Sequence, residues 1–428
     1  MIVWIRLLYN LAFPLVLLLL LPGFLHRMLR RGKYRHKFWQ RFGIYSPRVR
    51  ERIGRGRTWV HAVSVGEVMI ALKLIAALRQ RDPGLRVVLS TTTTTGFKLA
   101  ARSKAPWLEP IYNPLDFLLT ARAAVRTIRP SRLVLVEAEA WPNLVAEAKA
   151  CGARVTMVNT RLSPRSERRF RAARWLAAPV FNQVDVFCLQ EEADVARWVG
   201  LGVEASKLRV TGSVKFDDES AVARESKDFR PVLRSLGLND GSPILLGGST
   251  FPGEEELLAQ VYLKLKSAFP ELFLIVVPRH VERSKEIIPA MEALGLRVVR
   301  RTALGGAETA DVLLVDTTGE LRDWYGCSSV VFVGKSLLAR GGQNPAEPVV
   351  AGAPVIFGPH MGNFATLSRQ FLRLGAALEV TDGDSLRFAV DSLLRDAGKR
   401  QAMVAAGRNV LLAHRGATIR TCEILEKS

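Results

Sequence analysis

The sequence predicts an α/β protein of two doubly wound parallel-sheet units facing across a cleft, with a helical membrane anchor in front. Three observations lead there. From residue 59 onward, short apolar β-rich runs alternate with stretches of helical spacing, the signature of a parallel sheet covered on both faces. A polar, weakly patterned stretch at 217–239 separates one such series from a second. The 428 residues, 48% hydrophobic and 24% charged, suffice for two cores and argue against disorder.

Residues 7–25 carry no charge. At ~1.5 Å rise per residue the run approaches the ~30 Å of a bilayer core. Pro14 and Pro22 interrupt it, so a kinked span and a shallow helix lying in one leaflet both fit. A cleaved signal peptide fits less well, because Phe24-Leu25-His26-Arg27 follows where small residues would be needed. Next come Arg27, Arg30, Arg31, Lys33, Arg35, Lys37 and Arg41 without an acid. Such a flank is retained on the cytoplasmic side, which predicts a single N-terminal anchor with the protein body on the cytoplasmic face of the membrane. Tyr34, Phe38 and Trp39 suit the headgroup zone.

The first series of strands is read at 59–63, 85–90, 133–136, 155–158 and 186–189, with a helix at 67–79. The second is read at 244–246, 272–277, 312–315, 330–333 and 354–356. The expected organisation is an anchor at 1–30, a first unit at 31–217, a linker at 218–240 and a second unit at 241–428. Ligands of such sheets bind at the carboxyl ends of the strands, so the loops after these strands hold the candidate residues.

The formal net charge is +21. A field of that sign attracts nucleic acid, anionic lipid or acidic sugars without choosing among them. Cys151, Cys188, Cys327 and Cys422 are far apart and show no metal-ligand spacing, so free thiols are expected.

After the first strand, Ser64 and Glu67 have the spacing of a capping box. The same position lets the Glu67 carboxylate accept a proton from an attacking hydroxyl; both readings stand. Glu137 and Glu139 follow the strand at 133–136. At i and i+2 they share one side if strand geometry persists, where each raises the other's pKa; helix-start placement is the alternative. Arg161, Arg165, Arg168, Arg169, Arg171 and Arg174 stand against one acid, Glu167, with Phe170 and Trp175 interleaved. No nucleic-acid motif accompanies this patch, so phosphorylated lipid suits it better than nucleic acid. Lys215 either neutralises a leaving phosphate or is an exposed linker lysine.

In the second half, Gly247-Gly248-Ser249-Thr250 between strand and helix is an anion-binding arrangement or an ordinary turn. Arg279 after Pro278 suits a phosphate. Thr318, Gly319 and Glu320 end a strand. Asn344, Pro345, Ala346 and Glu347 follow a Gly-rich loop, with Glu347 at a helix start. Asp382-Gly383-Asp384, spelled like a metal motif, reads as a turn into a helix from Ser385.

Taken together and in order, these motifs resemble the Kdo transferases, the inverting family that transfers 3-deoxy-D-manno-octulosonic acid (Kdo) in lipopolysaccharide core synthesis. The similarity runs over 59–363 and rests on the segments at 61–68, 112–117, 137–143, 159–166, 215–217, 278–280, 316–321 and 341–347. It implies a B-type glycosyltransferase fold of two Rossmann-like domains, CMP-Kdo as donor, a lipid A precursor as acceptor, and no metal or cofactor. It implies Glu67 as proton acceptor, and Glu139, Glu137 and Lys215 as transition-state stabilisers. CMP contacts are implied at Pro278, Arg279, Thr318, Gly319, Glu320 and Asn344 through Glu347. The sequence departs from the family at Gln343, Ala138, Phe251 and Ser213, which touches acceptor range and local hydrogen bonding. The rival expectations are a UDP-sugar transferase or nucleotide-sugar epimerase, and a membrane-tethered binder of anionic lipid or nucleic acid without catalysis.

Overall fold

The computed structural model describes residues 4–15, 18–19, 37–54, 56–103, 105–137, 140–217, 227–305 and 309–427. The chain divides into two compact units, 1–217 with 414–428, and 218–413.

The first unit is a seven-stranded sheet of β1 (Thr58–His61), β2 (Val87–Thr91), β3 (Leu108–Tyr112), β4 (Arg132–Val136), β5 (Arg154–Thr160), β6 (Val186–Leu189) and β7 (Leu208–Val210). Its order is β3-β2-β1-β4-β5-β6-β7, and every pair is parallel. β1 pairs β2 on one side (Trp59 with Val88) and β4 on the other (Trp59 with Leu133), so the chain reverses direction across the sheet between β1 and β4. Alternate residues feed two cores. Trp59, Leu133, Leu135, Val155 and Phe187 pack on one face. Val60, Val134, Val136 and Val158 meet Val68, Ala71 and Leu74 of the helix Val65–Arg81 on the other. Burial of that many apolar side chains, each worth about 1.5–3 kcal/mol, explains why these strands read as continuous apolar runs.

The second unit holds β8 (Ile244–Thr250), β9 (Phe273–Pro278), β10 (Val298–Arg300), β11 (Val312–Leu314), β12 (Val330–Val333), β13 (Val355–Phe357) and β14 (Ala377–Glu379). The order is β10-β11-β9-β8-β12-β13-β14, again all parallel, and the reversal lies between β8 and β12.

The expected organisation differs from the observed one in two places. Residues 414–428 belong to the first unit, because the helix Ala417–Glu426 buries Cys422 and Leu425 in that unit's core and the Asp217 carboxylate accepts from Gly416 N and Thr418 N. The C-terminal part of the expected linker is structured: Phe229 and Leu233 are buried, and the Phe229 ring stacks on Trp324 at 4.1 Å. The rest of it, 218–226, lies outside the described residues. Among the described residues no helix is long and apolar enough to cross a membrane; residues 16–17 and 20–25 of the expected apolar span, with most of its basic flank, lie outside them. Residues 4–15 form a helix whose polar side docks on the first unit. Arg6 bonds Glu147 and Asn143, Asn10 bonds Asn143 and Leu118 N, and Tyr9 bonds Asp116. Its other side exposes Trp4, Leu7, Leu8, Leu11 and Leu15.

Candidate functional site

Six non-glycine residues among those described have positive φ, and four sit at or just after strand ends: Glu137 (65°) after β4, Asn159 (53°) in β5, Ser249 (52°) in β8 and Lys335 (58°) after β12. Left-handed backbone at a side-chain-bearing residue costs about 1–3 kcal/mol and collects at functional sites.

In the first unit, β1 ends at His61 and the chain turns into the helix Val65–Arg81. The capping box is realised. Ser64 Oγ accepts from Glu67 N at 3.3 Å, and the Glu67 carboxylate accepts from Val63 N at 2.9 Å and Ser64 N at 3.2 Å. Each oxygen keeps a lone pair for a further proton. Burial raises the Glu67 pKa above the usual carboxylate range. The charge of Glu137 pushes the same way, and the bonds from Val63 and Ser64 oppose. Capping thus fixes the rotamer of a carboxylate whose surroundings make it more basic, so the two sequence readings are compatible.

Glu137 is the like-charged neighbour of Glu67. The strand alternation invoked for Glu137 and Glu139 stops at Val136, because Glu137 turns left-handed; Ala138 and Glu139 lie outside the described residues. Arg161 Nε reaches Glu137 Oε2 at 3.2 Å, so this member of the basic patch serves the β4–β5 ends. Arg165, Arg168 and Arg169 are exposed on the helix Pro164–Ala172. Phe170 packs edge-on against Phe181, whereas Trp175 is 64% exposed. Arg171, Arg174, Trp175 and Pro179 line a hollow of about 590 Å³.

Lys215 is exposed, yet it rides on a fixed turn rather than a linker. Val214 N donates to Asn159 Oδ1 at 3.0 Å, Lys73 Nζ donates to Val214 O at 2.8 Å, and Ser213 N donates to His414 Nδ1 at 3.2 Å. The turn from Trp141 into the helix Pro142–Ala150 is fixed from outside. Buried Asp116 accepts from Asn143 N and Leu144 N, filling the helix's free N–H groups.

In the second unit a carboxylate of the chain itself reaches into the loop after β8. Glu254, fully buried, accepts from Phe251 N, Lys335 N, Ser336 N and Leu337 N. It ties the β8 loop to the β12 loop, taking one N–H of the first, Phe251 N, and three of the second. Nothing in Glu254-Glu255-Glu256 marks this acid as the buried tie; a carboxylate aimed back at its own loop shows only in three dimensions. Thr250 O accepts from Arg279 N at 3.1 Å. Pro278 closes β9, and the Arg279 side chain is exposed. Ser249 and Thr250 are buried. After β11, Thr318 and Gly319 are exposed, and Glu320 accepts from Thr317 Oγ1 at 2.6 Å with Arg301 Nε at 3.5 Å. After β12, Asn344 donates to Glu347 Oε1 at 3.1 Å and accepts from Ala346 N at 3.1 Å, opening the helix Ala346–Ala351; Pro345 and Ala346 are buried beneath. Asp382 caps the helix Gly383–Arg395 together with Ser385, the turn expected there.

Two doubly wound parallel units with their loops at strand ends define the class, a two-unit α/β protein of the kind found among B-type glycosyltransferases. That fold is shared with the solved UDP-GlcNAc 2-epimerase from Neisseria meningitidis, at 12% identity and a TM-score of 0.57 over 87% of this chain and 100% of that one. The family described as 3-deoxy-D-manno-octulosonic-acid transferase (kdotransferase) matches residues 36–218. The 3-deoxy-D-manno-octulosonic acid transferase of Haemophilus influenzae is 32% identical over 92% of each chain, and that of Bordetella pertussis 36% over 86% of each. The chain belongs to the Kdo transferase family and is a glycosyltransferase.

Proposed function

We propose that the enzyme transfers Kdo from CMP-Kdo to a lipid A precursor, with Glu67 as the general base. The observation that carries this reading is the Glu67 carboxylate: held by its capping bonds at the carboxyl end of β1 and made more basic by burial and by Glu137. Glu67 removes the proton of an acceptor hydroxyl. The oxygen bonds to the anomeric carbon, the bond from that carbon to the phosphate oxygen breaks, and the electron pair leaves with CMP. Arg279 and Lys215 are the cations assigned to the leaving phosphate, and Glu137 and Glu139 the acids assigned to the developing transition state. Thr318, Gly319, Glu320 and Asn344 through Glu347 are assigned to the nucleotide, and exposed Arg165, Arg168 and Arg169 to acceptor phosphates.

The same reading puts the protein on the cytoplasmic face of the inner membrane. The helix at 4–15 supports it, since its polar side is engaged by Asn143 and Glu147 while its leucines face outward. An outward apolar stripe on a docked helix suits insertion into one leaflet.

The test is incubation with CMP-Kdo and a tetra-acylated lipid A precursor, followed by mass spectrometry of the lipid. The expected product is heavier by whole Kdo units, with CMP released. Competition by UDP in place of CMP would favour the UDP-sugar reading, and salt-sensitive lipid binding with no CMP release would favour a binding protein.

A further inference from the structure

The second unit's loop after β12 carries a lysine that the assigned donor contacts leave unused. Lys335 follows Gly334 at the carboxyl end of β12, beside the reversal point, and has φ 58°. A lysine there is strained by about 1–3 kcal/mol where glycine would not be. Three hydrogen bonds hold the strained turn. Lys335 N donates to Glu254 Oε2 at 2.7 Å, Gly342 N donates to Lys335 O at 2.8 Å, and Gly334 N donates to Gly248 O at 2.8 Å. Gly334 is itself fixed, because a Cβ there would lie 2.4 Å from Ser249 O.

The side chain is half-buried and lies over the turn that leads to Asn344. A Cβ on Gly341 would sit 3.5 Å from Lys335 Cε. The ammonium ends 4.8 Å from the centre of the Phe251 ring, which meets His280 edge-on at 5.9 Å. The cation is thus delivered to the ends of β8 and β12, over a ring that touches His280, the residue after Arg279 in the chain. Among the described residues no acid pairs with the Lys335 ammonium. Glu254, the carboxylate touching this turn, is spent on four backbone N–H groups. A ring on one side leaves an ammonium able to take an oxyanion on the other.

We infer that Lys335 binds an oxyanion of the sugar-nucleotide donor, its phosphate or the carboxylate of its sugar, and that Glu254 is the positioning residue that holds the lysine in its strained turn. This rests on the CMP-Kdo reading above. Ordinary cation–π packing would not need a left-handed lysine, since a glycine at 335 would relieve the strain and leave the loop's bonds to Glu254 intact.

The test compares full-length wild type with Lys335→Gly, Lys335→Met and Lys335→Arg in detergent micelles, measuring melting temperature, calorimetric binding of CMP and of cytidine, and KM for CMP-Kdo. Lys335→Gly is expected to melt no lower than wild type and Lys335→Arg to keep most of the binding. If the oxyanion is the phosphate, Lys335→Gly and Lys335→Met bind CMP at least tenfold more weakly with cytidine unchanged. If it is the sugar carboxylate, CMP binding is unchanged and KM for CMP-Kdo rises at least tenfold. Variants that match wild type in CMP affinity and in KM for CMP-Kdo would overturn the inference, whatever their melting temperature. A wild type that binds neither CMP nor CMP-Kdo would overturn the donor reading and this inference with it.

Discussion

Arg161 Nε donates to Glu137 Oε2 at 3.2 Å, joining the ends of β5 and β4 beside the Glu67 carboxylate. The arginine offsets a charge that otherwise acts on Glu67. In Arg161→Ala the Glu67 pKa should rise further, so the acid limb of the kcat/KM–pH profile moves to higher pH. With Glu67 as the base, that limb should lie above the ordinary carboxylate range in wild type, because burial and then the Glu137 charge outweigh the bonds from Val63 and Ser64. The sign is fixed: the base must be ionised to act, so activity is lost as pH falls through a raised pKa. Stability should hardly change, since a pair this exposed contributes about 0–1 kcal/mol. A profile that stays in place in the variant would uncouple Glu137 from the base.

Glu67→Gln keeps one oxygen for one of the two backbone bonds, loses the other, which went to the second carboxylate oxygen, and removes the proton acceptor. It is expected to melt within a few degrees of wild type while kcat falls by about 10²–10⁴. Steady-state transfer rates beside a thermal melt check this, and a folded Gln variant with normal kcat would remove Glu67 from the chemistry.

Gly334→Ala places a Cβ 2.4 Å from Ser249 O and 2.6 Å from Thr250 Cα, backbone that cannot swing away. Overpacking of this kind costs about 1–3 kcal/mol. The melting temperature should fall and CMP affinity with it, because the β8 and β12 loops must part. Calorimetry of the variant with CMP tests the second half.

Replacing Arg165, Arg168 and Arg169 together by Ala should weaken binding to vesicles of anionic phospholipid by about 3 kcal/mol, roughly two orders of magnitude, at about 1 kcal/mol per basic residue. CMP affinity should be untouched. Flotation assays at two salt concentrations separate this from a merely solvated helix face, which would show no change.

The ten strands read from apolar runs are the interior strands of both sheets. The four not read, β3, β7, β10 and β14, are the four edges. An edge strand pairs on one side only and tolerates residues that an interior strand rejects. β3 carries Glu109 and Pro110, β7 and β10 each have an arginine, and β14 ends in Glu379. Their sequences therefore lack the continuous apolar signal that burial on two faces imposes.

The sequence by itself determined the alternation of strand and helix, the order of the strand-end motifs and the family, because burial and turn chemistry are written locally in residue type and spacing. Only the tertiary structure decided which charges meet. Glu137 answers to Glu67 and Arg161, Glu254 binds loops 80 residues downstream, and residues 414–428 return to the first unit. Those pairings depend on strands far apart in the chain lying side by side, and on backbone turns such as those at Glu137 and Lys335 that leave no periodic trace in the sequence.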